Sequence, residues 1–101
     1  MSDIGARLAR ALATAAATAG CPVDVVRSGW QRWASATFTG ARHQLVLQAP
    51  PSDALDAWLG TLGEAEIALP GHLVADLHLD HVARGAERVE ATLAVLTVET
   101  V

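Results

Sequence analysis

Apolar residues near the start of the chain recur at intervals of three and four positions. This spacing predicts an amphipathic helix, because residues three or four apart lie on one face. Ser2 or Asp3 can cap its first turn, and Gly20 followed by Pro22 predicts its end. The apolar positions of this helix are Ile4, Leu8, Ala11, Leu12, Ala15 and Ala19.

After Pro22 the pattern changes to an alternation of apolar and polar residues. A period of two is typical of strands in a sheet that buries one face. We interpret Ser28-Gly29 and Gly40-Ala41 as turns, and Pro50-Pro51 as the end of the segment. The prediction is three strands, near residues 23–28, 32–39 and 42–48.

A second helix is predicted after Ser52, which is well placed to cap it. Its core-facing stripe is Leu55, Trp58, Leu59 and Leu62. Residues 64–69 have the composition of a short strand, which the turn at Pro70-Gly71 would end.

The last section has the pattern of a β-hairpin with its turn at residues 84–87. Matching the apolar faces of the two strands pairs Leu79 with Leu93 and Leu77 with Val95. The apolar faces are Leu73, Ala75, Leu77 and Leu79 in the first strand, and Val89, Ala91, Leu93 and Val95 in the second.

These elements predict one α+β domain over residues 1–101, with a mainly antiparallel sheet of five or six strands and two helices. The order is α-β-β-β-α-(β)-β-β, where the strand at 64–69 is the optional one. Two similar halves suggest an internal duplication, although convergence on common hairpin turns explains the likeness equally well.

The composition excludes several kinds of function but identifies none. The chain contains no lysine, tyrosine or asparagine, which excludes a lysine Schiff base, a phenolic acid and an asparagine oxyanion donor. The single cysteine, Cys21, excludes an internal disulfide and favours the cytoplasm. No apolar stretch approaches the roughly 20 residues of a membrane helix, so we expect no membrane partner.

The net charge of −4 is unevenly distributed along the chain. Residues 1–50 carry +3, whereas residues 51–101 carry −7. Opposed charges of this kind are typical of a polar interface, within the fold or between two copies, although a solvated acidic face gives the same pattern. The acidic total and the absence of a basic run argue against nucleic acid as a partner.

One polar cluster lies in the hairpin, where His72, Asp76, His78 and Asp80 share one strand parity. Neighbouring members lie about 6.5–7 Å apart and could act as acid and base or share a metal ion. The other explanation is ordinary polar alternation on a solvent-facing strand. We therefore predict no metal and no cofactor, and keep Asp76, His78 and Asp80 as weak catalytic candidates.

Two further histidines lie outside this cluster. His81 has the opposite strand parity, so we expect it to point away from His78 and Asp80. His43 stands beside Arg42 at a predicted strand start and is interpreted as a surface residue.

Arginine and tryptophan are interleaved at Arg27, Trp30, Arg32 and Trp33, with Arg42 nearby. Such a group can hold an anion, stack on a planar ligand or anchor a protein interface. We predict a ligand or partner contact there, of unknown chemistry, with packing of the tryptophans in or around the core as the alternative.

The second hairpin strand places Ala94, Leu96 and Val98 opposite its core-facing residues. These positions are more apolar than a water-facing strand requires. We therefore predict a homodimer with Leu96 and Val98 in its interface; the alternative is a helix packed on each face of the sheet.

The segment Gly71-His72-Leu73-Val74-Ala75-Asp76, continuing to Arg84-Gly85, resembles strands of the hotdog-fold thioesterases. The resemblance covers less than a third of the chain. In that family a long helix is followed by four or more strands, whereas the last predicted element here is a hairpin. The resemblance implies acyl-thioester hydrolysis, with His78 and either Asp76 or Asp80 as the polar groups.

No catalytic template of the common hydrolase or phosphate-binding kinds is present. Our first hypothesis is therefore a small, soluble, non-catalytic binding or assembly module that forms a homodimer. The alternative is a small enzyme or metal-binding protein, for example an acyl-thioester hydrolase, that uses Asp76, His78 and Asp80.

Overall fold

A computed structural model describes residues 3–100 of the chain. Four strands form one antiparallel sheet in the order β1-β2-β4-β3. With two helices, this confirms the predicted α+β class. The elements are α1 (Ile4–Thr18), β1 (Asp24–Ala34), β2 (Thr39–Ala49), α2 (Asp53–Thr61), a 3₁₀ turn (Leu62–Glu64), β3 (His72–Arg84) and β4 (Val89–Glu99).

Both helices begin at the caps that the sequence predicts. The Asp3 carboxylate accepts a hydrogen bond from the Gly5 backbone N–H at 3.0 Å, and the Ser52 hydroxyl oxygen accepts one from Leu55 N–H at 3.0 Å. Each bond satisfies one of the free N–H groups in a first helical turn. After α1, Gly20 takes a φ of +85°, the left-handed conformation that ends many helices.

The predicted strand count is wrong in the first half of the chain. Residues 23–28 and 32–39 were expected as two strands, but most of this segment is the single strand β1, which pairs with β2 along its length. The turn is at residues 35–38, where the Ser35 hydroxyl oxygen accepts from Phe38 N–H at 3.0 Å and Ser35 N–H donates to the Phe38 carbonyl. This local serine turn interrupts a segment whose alternation resembles a strand.

The optional strand at 64–69 is absent as well. Residues 62–64 form a 3₁₀ turn, and the only pairing nearby is an isolated bridge between Leu69 and His72. The sheet described for residues 3–100 therefore has four strands rather than five or six.

The register of the β3–β4 hairpin is as predicted, with Leu79 opposite Leu93 and Leu77 opposite Val95. Strand β3 has two irregularities, between Val74 and Asp76 and between Leu79 and His81. Before the first and after the second, its side chains lie on the opposite face of the sheet from the one predicted. An extra residue in one strand reverses the side-chain parity beyond it. Leu73, expected in the core, is therefore 59% exposed.

The two halves of the chain repeat the order α-β-β with a regular offset. Strand β2 spans residues 39–49 and β4 spans residues 89–99, so corresponding positions differ by 50. Gln44 lies opposite Ala94, its own counterpart, in the β2–β4 register. This register relates the halves by a pseudo-twofold axis that passes between these two residues, normal to the sheet.

Both helices pack on the same face of the sheet. Leu8 and Leu12 of α1 and Leu55 and Leu59 of α2 join one buried cluster with alternate residues of the strands. The strand residues in this cluster are Ala41, Leu45, Leu47, Ala49, Leu77, Val89, Ala91, Leu93 and Val95. None of the helices in residues 3–100 is long and apolar enough to cross a membrane.

We call the other side of the sheet the open face, because no helix between residues 3 and 100 packs on it. Trp33, Arg42, Leu96 and Asp76 are among the residues whose register places them there.

Gly40 has no room for a side chain. A Cβ atom at this position would meet the Thr97 backbone carbonyl and would lie 2.9 Å from Trp33 Nε1. We expect Gly40→Ala to lower the free energy of unfolding by about 1–3 kcal/mol, because the backbone must shift to admit the methyl group. Urea-induced unfolding measures this change.

Gly29→Ala is the matched control, since it is also a strand glycine but has nothing within 4 Å of the added atom. Its effect should stay within about 0.5 kcal/mol of the wild type. Equal destabilisation by the two substitutions would contradict the close approach at Gly40.

Candidate functional site

A cavity of about 500 Å³ opens on the helix-covered side of the sheet, beside the first residues of α1. It receives side chains from α1 and from strands β1, β3 and β4, while β2 forms its floor. This is within the size range of small-molecule sites. Its polar lining consists of Asp3, Trp30, Arg32, His72, Thr97 and Glu99.

The cavity exists because small residues lie beneath it. Gly40 and Ala41 form its floor in β2, between Arg32 on β1 and Thr97 on β4. Helix α1 begins at Ile4, so the residue rows nearest the β1–β2 turn have no helix above them. A larger residue at position 41 would fill this space.

One wall is the Trp30 indole, which is held against the first turn of α1. Its Nε1–H donates to Asp3 Oδ1 at 3.0 Å. A Cβ atom on Gly5 would lie 2.7 Å from Trp30 Cδ1, so only glycine admits the ring this close. Asp3 therefore caps the helix and fixes Trp30 with the same oxygen.

A buried polar pair lies beneath this wall. His43 is 4% exposed and Thr97 is fully buried, with His43 Nε2 2.9 Å from Thr97 Oγ1. The His43 ring lies 6.3 Å from the Trp30 ring, centroid to centroid. Burial lowers the pKa of His43; the Asp3 carboxylate opposes this shift, and His72 adds to it. The expectation that His43 is a surface residue is therefore wrong.

The opposite wall carries groups with spare hydrogen-bonding capacity. Glu99 Oε2 accepts from the Thr39 hydroxyl at 2.7 Å and lies 3.7 Å from Arg32 Nη2. The Arg32 side chain is 68% exposed, so most of its N–H groups remain available. His72 Nδ1 is buried with no hydrogen-bond partner among the described residues.

The pseudo-twofold axis provides an internal comparison for this cavity. The equivalent place in the other half is beneath α2, where Leu55 and Trp58 pack so closely that no water molecule fits. The fold therefore does not require a polar cavity at this position. The counterparts of Arg32, His43, Thr97 and Glu99 are the apolar residues Val82, Leu93, Leu47 and Ala49.

The arginine and tryptophan group predicted from the sequence is divided between the two sides of the sheet. Trp30 and Arg32 line the cavity, whereas the register places Arg27 and Trp33 on the open face. On that face the Arg42 guanidinium lies over the Trp33 ring, 6.0 Å from its centroid.

The Asp/His cluster is also divided, because of the irregularities in β3. His72 turns to the cavity, while Asp76 and His78 lie on the open face, with His78 Nδ1 3.1 Å from Asp76 Oδ2. Asp80 is the extra residue of the second irregularity, and His81 is turned to the side of His78 rather than away from it. Residues 3–100 contain no group of three or more His, Cys, Asp or Glu side chains that could hold a metal ion.

Leu96 and Val98 occupy the open face of the central strand β4 and are half-buried. Val98 lies opposite Gly40 on β2 and Leu73 on β3, and Leu96 lies opposite Arg42 and Asp76. The predicted interface residues thus lie on a central strand, near one end of a face that no described helix covers.

Sequence reasoning missed His43, Thr97 and Glu99 as members of a site. The alternation along each strand carried the signal. His43 lies two residues before the core-facing Leu45 and Leu47, and Thr97 lies two residues after the core-facing Val95. A polar residue that continues a core-facing series is expected to be buried, and buried polar groups need partners.

No protein-family model, no curated protein and no solved structure matches this chain. The assignment of function therefore rests on the chemistry of the cavity and of the open face.

The buried His43 makes stability depend on pH. Above its ordinary pKa of 6.5 the imidazole is neutral in both states. Below that value the imidazole of the unfolded chain binds a proton more readily than the buried imidazole of the folded chain does. The free energy of unfolding therefore decreases as the pH decreases. We expect His43→Gln, which can still hydrogen-bond Thr97, to weaken this dependence between about pH 7 and 5.

Chemical denaturation at a series of pH values measures the effect as the difference in slope between variant and wild type. His81→Gln is the control, because its ring is exposed on the other side of the sheet. If the two substitutions change the slope equally, burial of His43 is not the cause.

Proposed function

We propose that this protein is a non-catalytic binding and assembly module that forms a homodimer through its open face. The observation that carries the proposal is that the rows of side chains across this face are complementary to themselves. Isologous dimers require this property, since the same patch must serve both copies.

The first row crosses the sheet as Trp33, Gly40, Val98 and Leu73. A twofold axis parallel to the strands, between β2 and β4, superposes this row on its own reverse. Trp33 then packs against the partner's Leu73, and Val98 lies over the partner's Gly40 and the partner's Trp33 indole beside it. Large residues thus meet small or apolar ones, as in aligned sheet packing.

The next row is Gln31, Arg42, Leu96 and Asp76. The same axis places Arg42 over the partner's Leu96 and beside the partner's Asp76. The dimer thereby contains two pairs of opposite charge, one for each Arg42, which fits the placement of the basic and acidic halves of the chain on opposite halves of one face. Complementary charge of this kind sets register and orientation between partners.

The size of the face suits a stable dimer. Three strands of eleven residues and one of thirteen span about 19 Å by 36 Å, or about 700 Å² per copy. Specific interfaces of ordinary size bury about 800 Å² per partner. The face combines an apolar row near one end with charged and polar positions next to it, and interfaces between proteins usually combine apolar and polar parts.

The alternative function, a small hydrolase or metal-binding protein, rests on the Asp76–His78 hydrogen bond at 3.1 Å. Both side chains are more than half exposed, and Asp80 is displaced from them by the irregularity in β3. The geometry of this pair supports a charged surround for an interface better than it supports a catalytic centre. We also propose a cytoplasmic location, on the single cysteine, Cys21, whose thiol is buried.

Val98→Asp tests the dimer directly. The substitution places a charge in the row of Trp33, Gly40 and Leu73, which holds no cation to pair with it, so we expect the dimer dissociation constant to rise about a hundredfold or more. Sedimentation velocity across a range of protein concentrations measures it. Thr14→Asp adds the same charge on the exposed side of α1 and should leave the dimer intact.

A charge exchange tests the register of the dimer. Arg42→Glu and Asp76→Arg should each weaken association by about tenfold, because each places like charges together across the interface. The double variant restores opposite charges and should recover most of the loss. A wild-type protein that stays monomeric at all concentrations, or a double variant as weak as the singles, would overturn the proposal.

A further inference from the structure

The cavity beside α1 carries both signs of charge. Arg32 lies 3.7 Å from Glu99 on one wall, and Asp3 supplies a second carboxylate on the wall that Trp30 forms. Only one oxygen of each carboxylate accepts a hydrogen bond from the described residues, Oδ1 of Asp3 and Oε2 of Glu99. The cavity therefore has unused capacity both to donate to an anion and to accept from a cation.

One buried polar group of the lining has no partner within the fold. The Thr97 hydroxyl is satisfied, since it lies 2.9 Å from His43 Nε2 and donates to the Ala41 carbonyl at 3.4 Å. His72, by contrast, lines the cavity with its Nδ1 buried and without a partner among residues 3–100. Buried nitrogens are normally hydrogen-bonded, and a ligand that reaches this one would supply the missing bond.

The rest of the lining is apolar. Ile4 and Ala41 form a small hydrophobic patch, and Trp30 adds the flat side of an indole. Such a wall favours a ligand that has an uncharged, apolar part in addition to its charged groups.

From these observations we infer that the cavity binds a small zwitterion, specifically a free α-amino acid with an apolar side chain. Arg32 binds its carboxylate, Asp3 and Glu99 bind its ammonium group, and Trp30, Ile4 and Ala41 contact its side chain. An anion alone would leave the Asp3 carboxylate without a cation, and a cation alone would leave the N–H groups of Arg32 that do not contact Glu99 without an acceptor. A ligand that carries both charges uses both groups.

The internal comparison strengthens this assignment. The equivalent place in the second half of the fold is apolar and packed, with Val82 and Leu47 where the cavity has Arg32 and Thr97. Buried polar groups usually cost stability relative to a packed apolar core. Their presence in one half alone marks the cavity as a site built for binding.

The test is isothermal titration calorimetry of the purified full chain with each of the twenty protein amino acids at millimolar concentration. We expect saturable binding of at least one apolar amino acid. Its amide, which lacks the carboxylate, and its N-acetyl derivative, which lacks the ammonium group, should each bind at least tenfold more weakly. No binding by any amino acid, or equal binding by either derivative, would overturn the inference.

Two arginine variants locate the site. Arg32→Gln should weaken binding by at least about tenfold, and because this side chain is mostly exposed the fold should be unaffected. Arg27→Gln, on the same strand but on the open face, should bind as the wild type does. Equal effects of the two substitutions would show that the amino acid binds elsewhere.

The ligand site and the proposed dimer can fail independently, because they lie on opposite sides of the sheet. Val98→Asp should abolish the dimer and leave the amino-acid affinity unchanged. Ala41→Leu should fill the cavity and abolish binding, while its circular dichroism spectrum and its sedimentation coefficient stay those of the wild type. Loss of amino-acid binding in folded, monomeric Val98→Asp would contradict a site contained within one chain.

Discussion

The antiparallel pairing of β2 with β4 is the interaction on which the rest of this structure depends. It joins the two α-β-β halves so that the pseudo-twofold axis passes between Gln44 and Ala94. As a result, the two hairpin turns lie at opposite ends of the sheet. Because the axis is normal to the sheet, both helices come to the same side. One face receives all the apolar packing that α1 and α2 provide, and the other receives none. Every surface with a proposed role follows from that division.

The two halves fill the space beneath their helices differently, although the backbone is alike. Beneath α2 the strands present Leu47, Ala49 and Ala91, and Trp58 completes a packed core. Beneath the start of α1 the equivalent positions are Thr97, Glu99 and Ala41, and they enclose a cavity. An apolar set would have supplied about 1.5–3 kcal/mol for each large side chain buried. Stability of the fold alone does not account for the polar set, which is why we assign it to binding.

Local signals in the sequence were sufficient for the helices and for one hairpin. Asp3 and Ser52 act as caps where they were expected, and the pairing of Leu79 with Leu93 follows from matching apolar faces. The alternation predicted the wrong face of the sheet only where a strand gains a residue. The irregularity between Val74 and Asp76 places His72 in the cavity, although the sequence grouped it with Asp76. Nothing in the alternation of residues 72–80 indicates where the extra residue lies, because that is decided by pairing with β4.

The same alternation explains how one thin sheet can serve two purposes without conflict. Along β1, Trp30 and Arg32 face the cavity while Gln31 and Trp33 face the open side; along β4, Thr97 faces the cavity while Leu96 and Val98 face the open side. Successive residues of a strand point to opposite faces, so adjacent positions belong to different surfaces. Only Gly40 belongs to both, since it forms part of the cavity floor and lies between Trp33 and Val98 on the open face. Its lack of a side chain admits the Thr97 carbonyl and the Trp33 indole, so this single position limits how far either surface can change.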